Sequence, residues 1–204
     1  MAREQVDWDK AEKRLIEIKE EFDKNGVTFF LFAGTLLGAV REKDFIPHDH
    51  DIDLGVFMRD SFAIKKSINN LLKKDYKGGR AFSFQGVVNR YRIVDYLPID
   101  IHVFFKSKDM YVDAPFTKGD GTMLTWWNNA KYFENLEKVR IRDKEYNAPS
   151  PSKEVVRLWY GPKWERKSYV NVYSFVKWKF MSKKEYAELL LTLDESEKWQ
   201  TGPK

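Results

Sequence analysis

The chain has 204 residues, of which 43% are hydrophobic and 33% charged, enough apolar material for a sizeable core and too much for chain-wide disorder. It contains no cysteine, which excludes a disulfide scaffold, thiolate zinc sites and a cysteine nucleophile, and no apolar run approaches the length of a membrane-spanning helix. Lys and Arg (36) outnumber Asp and Glu (31), giving a net charge of +5 that favours anionic partners, but the basic residues are dispersed and no nucleic-acid-binding signature is present, so nucleic acid is not an expected partner.

Taken in chain order, Ala11, Leu15, Ile18 and Phe22 recur at helical spacing among charges, and Asn25-Gly26 supplies a stop, which predicts an amphipathic helix over 7–24. The apolar run Val27 to Ala33 predicts a strand buried on both faces, ending at Gly34-Thr35, with a short helix from Leu36 to Glu42. From Asp51 to Phe57 acids and apolar residues alternate, so Asp51 and Asp53 share one face of a strand and Ile52, Leu54 and Val56 the other. A second amphipathic helix follows over 60–74. The period then changes to two: Ala81 to Phe84 and Val87 to Val94 read as strands joined at Gln85-Gly86, and Ile99 to Phe105 as another, opened by Pro98. Lys118 to Asn129, with Gly119, Gly121 and Trp126-Trp127, shows no clear period and is expected to be an ordered loop. Leu136 to Ile141 and Lys144 to Tyr146 suit a hairpin across Arg142-Asp143. Ser150-Pro151 starts a helix that Gly161-Pro162 ends, and Ser182 with Glu185 forms a capping box for a last helix. This order gives an α+β fold with a mixed sheet flanked by helices and a helical C-terminal part. A single domain over 1–204 is expected, with a core of about 1–147 and an appendage of about 148–204.

The chemistry concentrates on two strands. Asp51 and Asp53 on one strand face can approach a divalent cation together, and Asp100, in an otherwise apolar strand, needs a partner for its charge. Carboxylates around a hard cation suit phosphoryl transfer, because such an ion polarises phosphate oxygens and neutralises charge that develops in the transition state. The Gly34-Thr35 turn offers backbone N–H groups at a helix start, a natural anion cradle. An anion cradle beside a cation cluster describes a site for a metal-bound nucleotide or phosphodiester.

At these residues the chain resembles a known family. Phe32-Ala33-Gly34-Thr35-Leu36-Leu37-Gly38-Ala39-Val40-Arg41, followed by Asp44-Phe45-Ile46-Pro47-His48-Asp49-His50-Asp51-Ile52-Asp53, closely resembles the hallmark of the LicD/fukutin family, nucleotidyltransferase-fold enzymes that handle phospho-alcohols such as phosphocholine or ribitol phosphate. Pro98-Ile99-Asp100-Ile101 is similar to the family's downstream aspartate strand, and Tyr160-Gly161-Pro162-Lys163-Trp164 to its C-terminal Tyr-Gly-x-x-Trp element. The resemblance implies that Asp51, Asp53 and Asp100 bind a catalytic Mg²⁺ or Mn²⁺ and that Gly34 and Thr35 cradle the donor's phosphates. It also implies a CDP-activated donor and a glycan or glycolipid acceptor. At positions 48 and 50, where the family commonly carries an aromatic and an acid, this chain has His48 and His50.

Other readings stand beside these. Asp49-x-Asp51-x-Asp53 superficially suggests a calcium loop, but Leu54 occupies the position that needs glycine and Pro47 breaks the entering helix. His102 faces the same side as Asp100, where it touches metal, phosphate or acceptor, or else serves the structure. Arg41 neutralises a phosphate or pairs with Glu42 or Asp44. Arg90 and Arg92 share a strand face, either exposed or gripping substrate; Trp126, Trp127 and Trp164 read as core packing more readily than as base or sugar platforms. The functional expectation is a cytoplasmic, Mg²⁺- or Mn²⁺-dependent transferase that moves a phospho-alcohol from a CDP donor to a sugar hydroxyl. Its alternatives are transfer of NMP from an NTP to a small molecule, or a non-catalytic module that only holds a nucleotide or glycan.

Overall fold

A computed structural model describes residues 6–84, 87–117, 122–167 and 178–193. Helix α1 (Trp8–Lys24) begins where the Asp7 carboxylate accepts the N–H groups of Asp9 and Lys10, and it buries the predicted stripe of Ala11, Leu15, Ile18 and Phe22. It packs against α3 (Ser61–Leu71), and buried Glu21 ties the two together by accepting the side-chain amide of Asn70. Strand β1 (Phe29–Leu31) is shorter than expected, because α2 (Ala33–Arg41) starts at Ala33 rather than Leu36. Ala33 turns the chain there with a φ of 40°, a left-handed conformation that costs an alanine about 1–2 kcal/mol.

The strands form an eight-stranded mixed sheet. β1 runs antiparallel to β2 (Ile52–Phe57), and β2 runs parallel to β5 (Pro98–Ser107) with Ile52 beside Ile99 and Asp53 beside Asp100. The other edge of β5 carries β4 (Val87–Val94), antiparallel, with Arg92 opposite Asp100 and Arg90 opposite His102. β3 (Gly78–Phe84) extends this edge; the expected Gln85-Gly86 turn between them lies outside the described residues. Gly55 of β2 is a required glycine, because an added Cβ would collide with the Phe30 ring lying against it.

The sheet continues through β6 (Met110–Thr117), β7 (Met123–Asn129) and β10 (Trp178–Met181), all antiparallel. This corrects the expectation of a loop over 118–129: from Met123 onward it is a strand paired on both sides, while 118–121 lie outside the described residues. A short helix α4 (Lys131–Glu134) leads to the predicted hairpin, β8 (Glu137–Ile141) and β9 (Lys144–Ala148). Helix α5 (Ser152–Tyr160) starts one residue later than Pro151, and its first N–H is capped from a distance by Glu137, which also accepts the Ser150 hydroxyl. Gly161, with φ of 80°, ends it as expected. Helix α6 (Lys183–Leu191) carries the predicted capping box. Among its described residues the C-terminal part thus contains two helices and also a strand, β10, that joins the main sheet. The core runs through the sheet and both helix layers, and includes an aromatic group in which Phe32 meets Phe104, Trp126 and Trp159 at centroid distances of 4.8–5.2 Å.

Candidate metal centre

The parallel register of β2 and β5 places Asp53 and Asp100 side by side, and the segment entering β2 brings Asp51 to the same place. One carboxylate oxygen from each of Asp51, Asp53 and Asp100 lies within 4.8 Å of the others, which is the spacing a single cation needs. Among the described residues this is the one group of acids and histidines so arranged. The donor set is all oxygen, which suits Mg²⁺ or Mn²⁺ and not a softer metal. Strand β2 is incompatible with a calcium-binding loop, since Asp53 sits in a paired strand.

Electrostatics single the cluster out. Burial, reinforced by the neighbouring Asp49 carboxylate, pushes the Asp51 carboxyl up to about 6. Burial also pushes Asp53 up to about 6, against the pull of His102 and with the repulsion of Asp51. Asp49 is raised too, by burial and by Asp53. A divalent ion held by these oxygens relieves that repulsion, so the residues present fit the group that the sequence implies.

Helix α2 is docked onto the acid strand through its first turn. The Asp53 N–H donates to Thr35 Oγ1 at 2.9 Å, and the Phe32 N–H donates to the Asp53 carbonyl at 3.1 Å. Gly34 lets the Asp49 carboxylate lie directly over the turn, where an added Cβ would displace it. The Gly34-Thr35 turn therefore holds the acidic segment in place, while its first N–H groups remain those of a helix start, without partners inside the helix. The closeness of Asp49 to this turn is a site feature that the sequence reading assigned no role.

Two arginines face the acids from β4. Arg92 grips Asp100 with both arms of its guanidinium, Nε at 2.7 Å from Oδ1 and Nη2 on Oδ2, and Arg90 Nη1 stands 3.9 Å from the same Oδ2. His102 is buried beneath them: its Nδ1 lies 2.9 Å from Asp113 Oδ2 and its Nε2 3.4 Å from Asp53 Oδ1. Burial disfavours charge on this ring, yet the Asp113 carboxylate and Asp53 outweigh burial and push it up to about 10. Asp113, wholly buried on β6, is a site residue that sequence reasoning missed; its only signal was a lone acid after Tyr111-Val112.

The other expectations divide. Arg41 makes the ion pair of its second reading: its Nε is bound to Glu42 at 2.7 Å and its Nη1 to the carbonyls of Trp164 and Arg166. His48 and His50 are exposed in the loop before β2, whereas His102 is buried. Trp126 and Trp164 are buried as core packing, and Trp127 lies under Lys179 with its Nε1 donating to Thr125. Tyr160, at the end of α5, is buried, with its hydroxyl pushed up by burial and by the Asp53 and Asp49 charges.

Comparison with known proteins identifies the family. A protein-family model described as the nucleotidyltransferase domain of LicD/FKTN/FKRP matches residues 26–151, a span that contains the acids, both arginines, His102 and Asp113. Among curated proteins the chain is 26% identical over 160 residues to an uncharacterized protein of Rickettsia typhi, covering 76% of this chain and 46% of that one. It is 27% identical over 173 residues to the Homo sapiens ribitol-5-phosphate transferase FKTN, covering 79% of this chain and 35% of that one. It is 51% identical to the human ribitol 5-phosphate transferase FKRP, but over 35 residues alone, 17% of this chain and 7% of that one. The chain thus spans about half or less of the length of these relatives. A solved structure of the lincosamide antibiotic adenylyltransferase LnuA shares 17% identity at a TM-score of 0.48, covering 74% of this chain and 85% of that one. No helix among the described residues is long and apolar enough to cross a membrane. With the family model matching well over half its length, the chain belongs to the LicD/FKTN/FKRP nucleotidyltransferase-domain family.

Proposed function

We propose that the chain is a divalent-metal-dependent transferase that moves a phospho-alcohol from a CDP-activated donor to a hydroxyl of a glycan or glycolipid, releasing CMP. The observation that carries this reading is the β2–β5 register, which gathers Asp51, Asp53 and Asp100 within 4.8 Å beside the start of α2. Family membership, and relatives named as ribitol-5-phosphate transferases, support the phospho-alcohol and, through it, the donor class.

In this reading Asp51, Asp53 and Asp100 hold Mg²⁺ or Mn²⁺, which when bound polarises the donor's phosphate oxygens and neutralises charge at the leaving group. The first N–H groups of α2, at Ala33, Gly34 and Thr35, carry the positive end of the helix dipole in a turn that Thr35 ties to Asp53, which favours a phosphate bound there. The Asp113 and Asp53 carboxylates favour the charged form of the buried His102 ring, which disfavours it as a proton acceptor. A carboxylate of the series Asp49, Asp51, Asp53 is the remaining group to take the acceptor hydroxyl's proton. His102, itself held by Asp113, stands 3.4 Å from Asp53 Oδ1 and steadies that side chain beside the cluster.

The test is to incubate the protein with Mn²⁺, a glycan acceptor and either CDP-ribitol or CDP-choline, and to assay CMP. Release of CMP coupled to acceptor modification, lost in Asp53→Asn, is the expected result. Pyrophosphate release from an NTP, or metal-dependent nucleotide binding with no turnover of any donor, overturns it.

A further inference from the structure

We propose that Arg92 is an exchangeable counter-ion: it neutralises Asp100 before the metal arrives, then yields that carboxylate and turns its guanidinium to the donor's diphosphate. This rests on the reading of the acid cluster as a metal site.

The two partners are unequally anchored. The Asp100 side chain is 4% exposed and fixed in the middle of the sheet, whereas that of Arg92 is 37% exposed, so the arginine is the partner that can leave and rehydrate. Both Asp100 oxygens are engaged by the Arg92 fork, yet Asp100 must offer one of them to complete the three-oxygen group. A divalent ion and a guanidinium on one carboxylate repel each other at close range, so gaining the ion weakens the grip of the arginine.

Asp100 is not stranded when this happens. Arg90, opposite His102 on the same strand face, is 3.9 Å from Asp100 Oδ2, and its own side chain is 7% exposed and stacked on the Phe82 ring at 4.3 Å. It stays as a permanent countercharge, while Arg92, two residues along β4 and more exposed, is the one released. A planar fork that fits a carboxylate with two bonds fits a phosphate equally well. The pair of arginines thus divides the labour: one is fixed to the fold, the other is shared in turn between the protein's own acid and the ligand's anion. The consequence is a coupling of opposite sign at the two steps, since Arg92 competes with metal and assists nucleotide.

The experiment uses the full chain as wild type, Arg92→Gln and Arg92→Lys. Free Mn²⁺ is titrated and followed by its electron paramagnetic resonance signal, and CDP binding is measured by calorimetry at saturating Mn²⁺. Arg92→Gln is expected to bind Mn²⁺ more tightly than wild type and CDP more weakly, each by on the order of tenfold, the scale on which residues around a ligand set tune a metal. Arg92→Lys, which keeps the charge without the fork, is expected to bind Mn²⁺ nearly as wild type does and still to lose CDP affinity, and it carries the test if the Gln variant does not fold. Weaker Mn²⁺ binding in Arg92→Gln, or unchanged CDP binding in both variants, overturns the proposal while leaving the metal site standing. A wild-type chain that binds no Mn²⁺ overturns the metal site itself, and the role of Arg92 falls with it.

Discussion

Two clusters of charge in this molecule are built from the same residue types and behave in opposite ways. On the outer side of α1, Arg14 sits among Asp75, Asp95 and Glu17, with its Nε 2.7 Å from Asp95 and its two Nη atoms about 3.0 Å from Asp75. Every arm of the guanidinium is used, and the Arg14 hydrogen bonds hold the Asp75 carboxyl below its ordinary range. At the β2–β5 site the acids lie against one another: Asp49, Asp51 and Asp53 are all pushed upward, and the nearby arginines are spent on Asp100. In the first cluster the guanidinium lowers the carboxyl it grips; in the second the carboxyls stand raised against one another, the pattern expected of a site built to receive positive charge from a ligand.

Substitution separates the two most sharply. Asp51→Asn removes a repelling charge without changing shape, so its melting temperature should equal or exceed that of wild type at neutral pH. Turnover should fall a hundredfold or more, on the order of what losing one charge-stabilising group costs an active site. A variant that loses stability along with activity would make the acid cluster structural. Arg14→Met should do the reverse: it removes the guanidinium that lies over the Tyr76 ring and leaves Asp95 unpaired, at a cost of about 2 kcal/mol, less than a fully buried pair because Asp75 is exposed. Turnover measured well below the melting temperature should stay at the wild-type level.

The second distinction is in pH. Because Asp51 and Asp53 have carboxyls raised to about 6, the folded chain holds more protons there than the unfolded chain between the ordinary carboxylate range and pH 6. Their contribution is thus most favourable at low pH and turns against the fold as pH rises through about 6. Mn²⁺ competes with those protons and offsets the repulsion once they are gone. Its stabilisation, read as a melting-temperature shift at fixed Mn²⁺, should be small at pH 5 and grow through pH 6 to a plateau near pH 7.5. A shift independent of pH would mean that the ion binds elsewhere.

How much of this was legible in the sequence follows from what each feature depends on. The alternation around Asp51 and Asp53, the α1 stripe and the Ser182–Glu185 capping box are local patterns, and the structure carries all of them. The start of α2 was misplaced because an apolar run reads alike as buried strand or buried helix, and the turn at Ala33 uses a φ of 40° that no local rule assigns to alanine. Strand β7 read as a loop because its conformation is fixed by pairing with β6 and β10 on either side rather than by its own composition. Asp113 went unseen for the same reason: β6 was not recognised as a strand, and only its position in the sheet brings it to His102. The chemistry of Asp51, Asp53 and Asp100 was legible as residue types, and their convergence became visible only in the β2–β5 register.

The comparison also fixes where charge should not matter at all. Arg140 and Glu145 face each other across the β8–β9 hairpin with Arg140 Nη2 3.2 Å from Glu145 Oε1, but their side chains are 64% and 52% exposed. Water competes for both groups, and ordering two long side chains costs entropy that the attraction barely offsets. Arg140→Gln should therefore shift unfolding free energy by no more than about 0.5 kcal/mol in a denaturant titration. That result would place the pair below both clusters, even though its distance is nearly that of the Arg14 contacts. A loss as large as that of Arg14→Met would show that distance alone, and not burial and full use of the guanidinium, sets the worth of a charge pair here.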